Sequence, residues 1–517
     1  EVSSRYNPED TAMTRAGFAC LFNSKLFQLI TKPALVIAVS SGLYLLLTST
    51  FFPLDFLSTL DAKRILQLIL FSTTLIFALA WTPLRTSTIA QLNRLSTLSR
   101  SALALFFLIG IVSSLRLEHP AYALVDVSMM FTMMILIAVM AASRDLSGRL
   151  FDKWSALLLA LMGLAVSIQE SMGYVSGWAF GSEFNYTQAL LHFAHPRFYN
   201  QLQTWSIPVL AALPILFSNK KWIKLVCIAL LGLQWFIVIA MAARGSIVSL
   251  FTAMAFVALF LPDLRRYWLK YQLAGLLTGI IIYSGVLFLN GVFIPQSESN
   301  EFYAHSVGRP VAHTSGRSTF WGLSTEDAIA NPIIGTGPTR YACDYDNWVP
   351  AHPHSFIFRI LGEWGFVALL LVLFLAVTIG LKFLERLKHP RKFCQLDSPL
   401  AAITAISLIA GVLHACLSGL LIMPASQVLM ILIAGWALSL SGNLKLQLHD
   451  STITSTLLVA SVLFSCATLV FAIREVPILA ERTSYSKDYG PLTPRFWQSG
   501  KACEYTYMLS TLDSAHP

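Results

Sequence analysis

Charge is scarce in this chain. Only 12% of its 517 residues are Asp, Glu, Lys or Arg, while 56% are hydrophobic. Soluble domains carry about twice that charged fraction, so a water-soluble globular fold is excluded. Ionisable groups deep within apolar runs are scarcer still. Asp126, Glu170 and Arg244 fall toward one end of their runs, and the deep interior reads as apolar. A proton pump or ion carrier would place such groups near the bilayer midplane. Internal repeats and inverted hydropathy symmetry are also absent, which weighs against a lipid or solute transporter, the alternative from a different functional class. No segment alternates in the manner of a membrane β-strand. Residues 1–33 lack the short apolar core and small-residue cleavage site of a signal peptide, and with Arg5, Arg15, Lys25 and Lys32 they are expected to form a cytoplasmic leader.

What the chain does have is apolar runs of about 20 residues, each enough to cross the hydrocarbon as a helix. They fall near 34–53, 65–83, 101–116, 123–142, 155–175, 205–217, 225–243, 246–261, 272–290, 356–381, 399–420, 424–440 and 453–472. The expected fold is an all-α integral membrane protein, a polytopic bundle of about 12–13 transmembrane helices with a large outer loop between two late spans. Its parts are a leader at 1–33, a first bundle part at 34–290, the loop at 291–355, a second bundle part at 356–472 and a tail at 473–517. With the N-terminus inside, 22 of the 36 Lys and Arg residues fall on inner segments. That satisfies the positive-inside rule. The net charge of +9 then needs only anionic lipid headgroups as a partner, not nucleic acid.

The outer segments 176–204, 291–355 and 473–517 are where function is expected. Of seven cysteines, only Cys343 and Cys503 fall outside. In an oxidising compartment they either form a disulfide tying tail to loop or remain two free thiols.

Arg244 lies in "MAARGSIVSL", where small neighbours let a guanidinium reach an anion and grip phosphate oxygens bidentately. The plainer reading is an interfacial arginine snorkelling to lipid phosphate. Arg197 in "HPRFYNQ", with Arg309 and Arg317 in "GRPVAHTSGRSTFW", adds outer positive charge and favours a diphosphate ligand. "AHPHSFIFRILGEWGFVALLL", 351–371, runs from two histidines into a span. His354 is expected to open that helix with Phe358 and Leu361 on its stripe. A neutral imidazole there serves as a general base or as a hydrogen-bonded anchor. No Cys or acidic cluster stands beside His352 and His354 to complete a metal shell, so no metal is expected. Arg359 and Glu363, four residues apart, are spaced to pair along the helix. The Gly-x-Gly turn in "NPIIGTGPTRY" lacks the strand, helix and acid of a dinucleotide site. Its glycines instead suit a close approach of the loop backbone.

The order of "ARGS", then "SGRSTFWGLSTEDAIANPIIGTG", then "HPHSFIFRILGEWGFVALLL" resembles the bacterial O-antigen ligase superfamily over roughly 195–385. That superfamily comprises O-antigen ligases, O-antigen polymerases and protein O-oligosaccharyltransferases. The resemblance implies a metal-independent, cofactor-free inverting glycosyltransferase of the bacterial inner membrane, with its active site facing the periplasm. The donor would be an undecaprenyl-diphosphate-linked glycan. The first expectation for the acceptor is lipid A-core, as in lipopolysaccharide biosynthesis; protein and growing glycan are the alternatives. It also implies that Arg244 and Arg317 hold the diphosphate and that His354 serves the acceptor; Arg197 and Arg309, read from the outer charge alone, are further candidate diphosphate-binding cations. Ser355 stands where the family commonly has Asn, so the orienting role of that Asn is in question.

Overall fold

The computed structural model describes residues 32–50, 56–118, 120–181, 190–217, 220–294, 316–345, 349–388, 397–441, 451–485, 494–498 and 500. The protein is an all-α polytopic membrane protein, 84% helical and without a strand among the described residues. Nine described helical segments are long and apolar enough to cross a membrane. They are α2 (Thr59–Ala80), α4 (Thr97–Leu115), α5 (Pro120–Ser147), α6 (Arg149–Phe180), α9 (Lys221–Ala240), α11 (Arg265–Phe293), the segment 356–385, α16 (Asp397–Ala415) and α18 (Ser451–Tyr485). Three shorter apolar helices stand with them: α1 (Leu35–Thr50), α10 (Arg244–Phe260) and α17 (Pro424–Leu440). Polar or short helices connect these: α3 (Thr82–Leu92), α7 (Pro196–Leu210), α8 (Leu213–Leu216), α12 (Arg317–Ala330) and α13 (Tyr341–Asp344).

Helix starts follow local chemistry. Ser58 accepts from the Asp61 N–H at the head of α2, and Ser96 accepts from Ser99 at the head of α4. Pro196 and Pro424 occupy first turns, where a missing N–H costs nothing. Between α9 and α11 the backbones meet closely because Gly275 and Gly279, four apart, leave room. A Cβ at Gly275 would sit 2.5 Å from Leu231 Cβ, and one at Gly279 would sit 2.7 Å from Trp235 Cβ.

The structure departs from the sequence expectation in three places that matter for the site. The span expected at 205–217 is instead a helix from Pro196 that ends at Leu210, turns through Ala211 and Ala212 and resumes for one turn. Pro208 and Pro214 account for the break, since neither can donate to the helical ladder. The interior is not uniformly apolar either. Gln234 donates to Gly163 O and Ser167 Oγ, both at 2.9 Å, and accepts from Tyr199 Oη at 2.7 Å and Gln203 Nε2 at 3.0 Å. Neutral amides and hydroxyls scattered one per turn barely lower a hydropathy average, yet in a bundle they find each other.

The third departure is in the helix expected at 356–381. It begins as α14 (Phe356–Arg359), widens into a π-helical turn (Ile360–Trp364) and restarts as α15 (Gly365–Lys388). The "NPIIGTG" loop packs into this interruption. Thr336 N donates to Gly362 O at 3.0 Å, Gly337 N to Glu363 O at 2.9 Å and Phe366 N to Pro332 O at 2.8 Å. The widened turn frees carbonyls from the helical ladder, and the loop amides satisfy them. Gly335 has a φ of 67° and lies so close that an added Cβ would be 2.3 Å from the Glu363 carbonyl. The close approach expected of these glycines is therefore made onto the helix backbone itself.

Candidate active site

α12 carries Arg317 as its first residue and presents Phe320 one turn later, whose ring centroid lies 6.1 Å from that of His354. Trp321 donates its indole N–H to Pro353 O at 3.1 Å and stacks on Phe358 at 4.9 Å. The loop helix thus packs against the two-histidine segment. Among the described residues no carboxylate pairs with Arg317, and partial burial holds its pKa below the ordinary arginine value. A guanidinium left without a counter-ion in such a place suits an anionic ligand.

His352 and His354 differ in what they do. His352 is 2% exposed and its Nδ1 accepts the His354 backbone N–H at 3.1 Å, so its proton sits on Nε2. Burial and the charges of His354, Arg495 and Arg359 hold its pKa well below the ordinary histidine value. His354 is partly buried and adopts a left-handed backbone, φ 52°, uncommon for a residue with a Cβ. Such strain persists where surrounding contacts over-determine it. Here those contacts are the His352 ring, 4.4 Å centroid to centroid, and the Trp321 bond to Pro353. Burial, then the cationic charges of Arg317 and Arg197, push the His354 pKa down to about 4. Its ring is therefore neutral at neutral pH and able to accept a proton. Ser355 caps α14 by accepting the Phe358 N–H at 3.5 Å. That work is local to the helix start.

Two other left-handed residues flank candidate cations. Ala194 (φ 58°) precedes His195, whose Nδ1 accepts the Arg197 N–H at 3.1 Å at the head of α7. Ala242 (φ 48°) accepts the Arg244 N–H at 2.8 Å in the turn that opens α10. Next to Arg244, Gly245 touches the ring of His414, at the end of α16. His414 Nδ1 is 2.8 Å from Thr204 Oγ1, which is also 3.0 Å from Ser246 Oγ. The Arg317 charge acts on the rings of both His354 and His414. The charges of Arg197 and Arg317 both act on His354, while Arg244 stands beside Gly245 at the head of α10, where His414 packs.

Behind the histidines lies a buried group of four charges. Arg359 pairs with Asp126 and lies 3.5 Å from Glu363, confirming the spacing read from sequence. Arg495, from the tail, lies 2.5 Å from Glu363 and 3.6 Å from Asp126. Arg359 and His352 line one small cleft together with Ser355, Ser418 and Gly419. Arg309 and Cys503 lie outside the described residues. Cys343 is disulfide-bonded, and its partner also lies outside them.

Sequence reasoning missed His414, Thr204 and Arg495. A lone histidine in "GVLHACLSG" was a legible signal, since an ionisable group in an apolar run asks for a function. Arg495 gave none, because a tail residue shows its partners only once the chain is folded.

No curated protein matches this chain. Its residues 211–373 match the family model described as O-antigen ligase, a segment that begins before Arg244 and ends after His354. Members of that family are glycosyltransferase-like ligases and polymerases. The matching segment, from the turn before α8 through the two-histidine turn into α15, supports the resemblance to the O-antigen ligase superfamily within an all-α multi-pass membrane fold.

Proposed function

We propose that this protein transfers a glycan from undecaprenyl diphosphate to an acceptor presented at the periplasmic face of the bacterial inner membrane, with O-antigen ligation to lipid A-core as the reaction. The observation that carries the proposal is the placing of a neutral, partly buried His354 within the field of Arg317, which has no carboxylate partner among the described residues. Breaking the bond between the sugar C1 and the diphosphate oxygen leaves negative charge on that oxygen, which fixed guanidiniums stabilise without reorganising. Arg244 and Arg317 take that role, with Arg197 and Arg309 contributing positive field. The acceptor hydroxyl attacks C1 from the opposite face, gives its proton to His354, and forms the new glycosidic bond with inversion. The cations also keep His354 from binding a proton before the acceptor arrives. No metal or cofactor enters this scheme.

The basic inner segments read from sequence support an N-terminus in the cytoplasm, which puts the 291–355 loop and the 473–517 tail in the periplasm. The test is the product that accumulates on gene deletion. Lipid A-core without polymer supports ligation. Unglycosylated protein would make this a protein O-oligosaccharyltransferase, and single repeat units a polymerase. Unchanged glycans together with loss of transport of a lipid or solute would overturn the enzyme reading.

A further inference from the structure

His352 takes no part in the proposed transfer, yet it is more deeply buried than His354 and its ring is fixed on two sides. Its Nδ1 accepts the His354 backbone N–H at 3.1 Å, closing the kind of turn that an Asn side chain makes with the second residue after it. Burial, then the charges of His354, Arg495 and Arg359, keep the ring neutral at neutral pH, so Nδ1 is free to accept. Behind the ring stands Gly419, where an added Cβ would lie 2.4 Å from Cε1 and 2.7 Å from Nε2. The turn that carries Gly419, between α16 and α17, is itself braced. Ser418 Oγ accepts Gln201 Nε2 of α7 at 3.1 Å, and Ile422 O accepts Arg64 Nη2 of α2 at 2.6 Å. Pro353 O and the His354 N–H belong to one peptide unit. Trp321 of α12 donates to its oxygen at 3.1 Å, and His352 accepts its hydrogen. With both edges of that planar unit engaged, it cannot turn without breaking one of the two bonds. Its orientation sets φ of His354, which is 52°. Relaxation to the ordinary negative range would rotate the residue by roughly 110° about N–Cα and swing the imidazole away from Phe320.

We infer that His352 is a positioning residue for the transfer: with Trp321 it holds the Pro353–His354 peptide unit, so that His354 keeps the orientation in which it meets the acceptor hydroxyl. This rests on the glycosyl-transfer reading and gives the second histidine of the turn a separate task. His354 alone exchanges a proton with the acceptor. His352 keeps its Nε2 proton and its Nδ1 lone pair throughout, and Gly419 leaves the room that its ring needs. Holding the base in this way bears on rate, because small displacements of a reacting group lower turnover steeply.

The experiment measures steady-state kinetics of the full-length protein in nanodiscs, together with hydrogen exchange at the His354 amide. His352→Gln fills the cleft with a polar group but has carbon where Nδ1 stood, whereas His352→Asn restores an acceptor there through its Oδ1. His352→Gln is expected to lower kcat by about 10- to 100-fold, the effect of a slight misplacement, with the donor KM unchanged and the His354 amide exchanging faster. His352→Asn should recover most of the turnover and of the protection. Trp321→Phe, which keeps a ring on Phe358 and loses only the N–H, should show the same fall in kcat, and it tests the same peptide unit if His352→Gln fails to fold. Wild-type turnover in folded His352→Gln overturns the inference. So do equal losses of kcat in the Gln and Asn variants, which would mark His352 as a proton carrier, and a donor KM that rises as kcat falls, which would mark a purely structural histidine. A wild type that transfers no glycan refutes the glycosyl-transfer reading itself, while wild-type amide protection in folded His352→Gln refutes only the hold on His354.

Discussion

Nη2 of Arg495, in the tail, lies 2.5 Å from Oε2 of Glu363, in the π-helical turn behind the histidines, and both side chains are withdrawn from solvent. The neighbouring tail residues are tied down as well. Phe496 O accepts from Arg64 Nε at 3.1 Å, and Gln498 N donates to Asp61 Oδ1 at 2.7 Å. The segment 494–498 therefore straps α2 to the turn that carries the site.

Removing Arg495 leaves Glu363 with only the more distant Arg359 to balance it. Breaking a buried pair in this way costs about 3–5 kcal/mol, so Arg495→Ala should lower the melting temperature of the purified protein sharply. Replacing Glu363 by Gln in the same background should recover part of the loss. Equal melting temperatures for Arg495→Ala and wild type would show the strap to be incidental.

His354→Ala should lower turnover by about two to four orders of magnitude while leaving donor binding nearly intact. The acid limb of kcat/KM should fall near pH 4, not near the ordinary histidine value, because the ring must be neutral and its pKa is pushed down to about 4. Arg197→Gln removes one of the charges responsible and should move that limb upward. A limb unaffected by both His354→Ala and Arg197→Gln would assign the proton to another group.

Arg244→Lys and Arg317→Lys should each impair turnover and donor affinity, since an ammonium cannot reproduce the planar two-point grip on a diphosphate. Steady-state kinetics with a lipid-linked donor check this. Full activity in both variants would remove the arginines from the diphosphate site.

Gly335→Ala places a methyl 2.3 Å from the Glu363 carbonyl at a φ of 67°. Overpacking plus a disfavoured backbone should cost at least about 1–3 kcal/mol. Gly322→Ala, in α12 with open space around it, is the matched control and should be neutral or slightly stabilising. Thermal melting of the two variants distinguishes a required glycine from a tolerated one.

The disulfide at Cys343 is expected to be made with Cys503. Non-reducing peptide mapping of protein matured in the periplasm should recover that crosslink. A Cys343 peptide joined to any other cysteine would redirect the tail.

Much of the architecture was legible in one dimension because a membrane imposes it. Apolar runs near the bilayer's thickness can be satisfied only as helices, and at most positions the helices lie where those runs lie. Arg317 and His354 were also singled out in one dimension, Arg317 as one of the arginines of the outer loop and His354 as an imidazole at the mouth of an apolar run. Tertiary structure alone decided the rest. The break after Arg359 arises because a loop more than twenty residues earlier supplies amides to the widened turn, and no local propensity encodes that exchange. Polar side chains such as Gln203 and Gln234 look incidental in sequence and become a network only when α6, α7 and α9 face one another. His414 acquires its partners from α7 and α10, and Arg495 from α5 and the π-helical turn, across hundreds of residues. Hydropathy is a property of a segment and survives in the sequence. The pairing of buried polar groups is a property of neighbours, and those exist only once the bundle has closed.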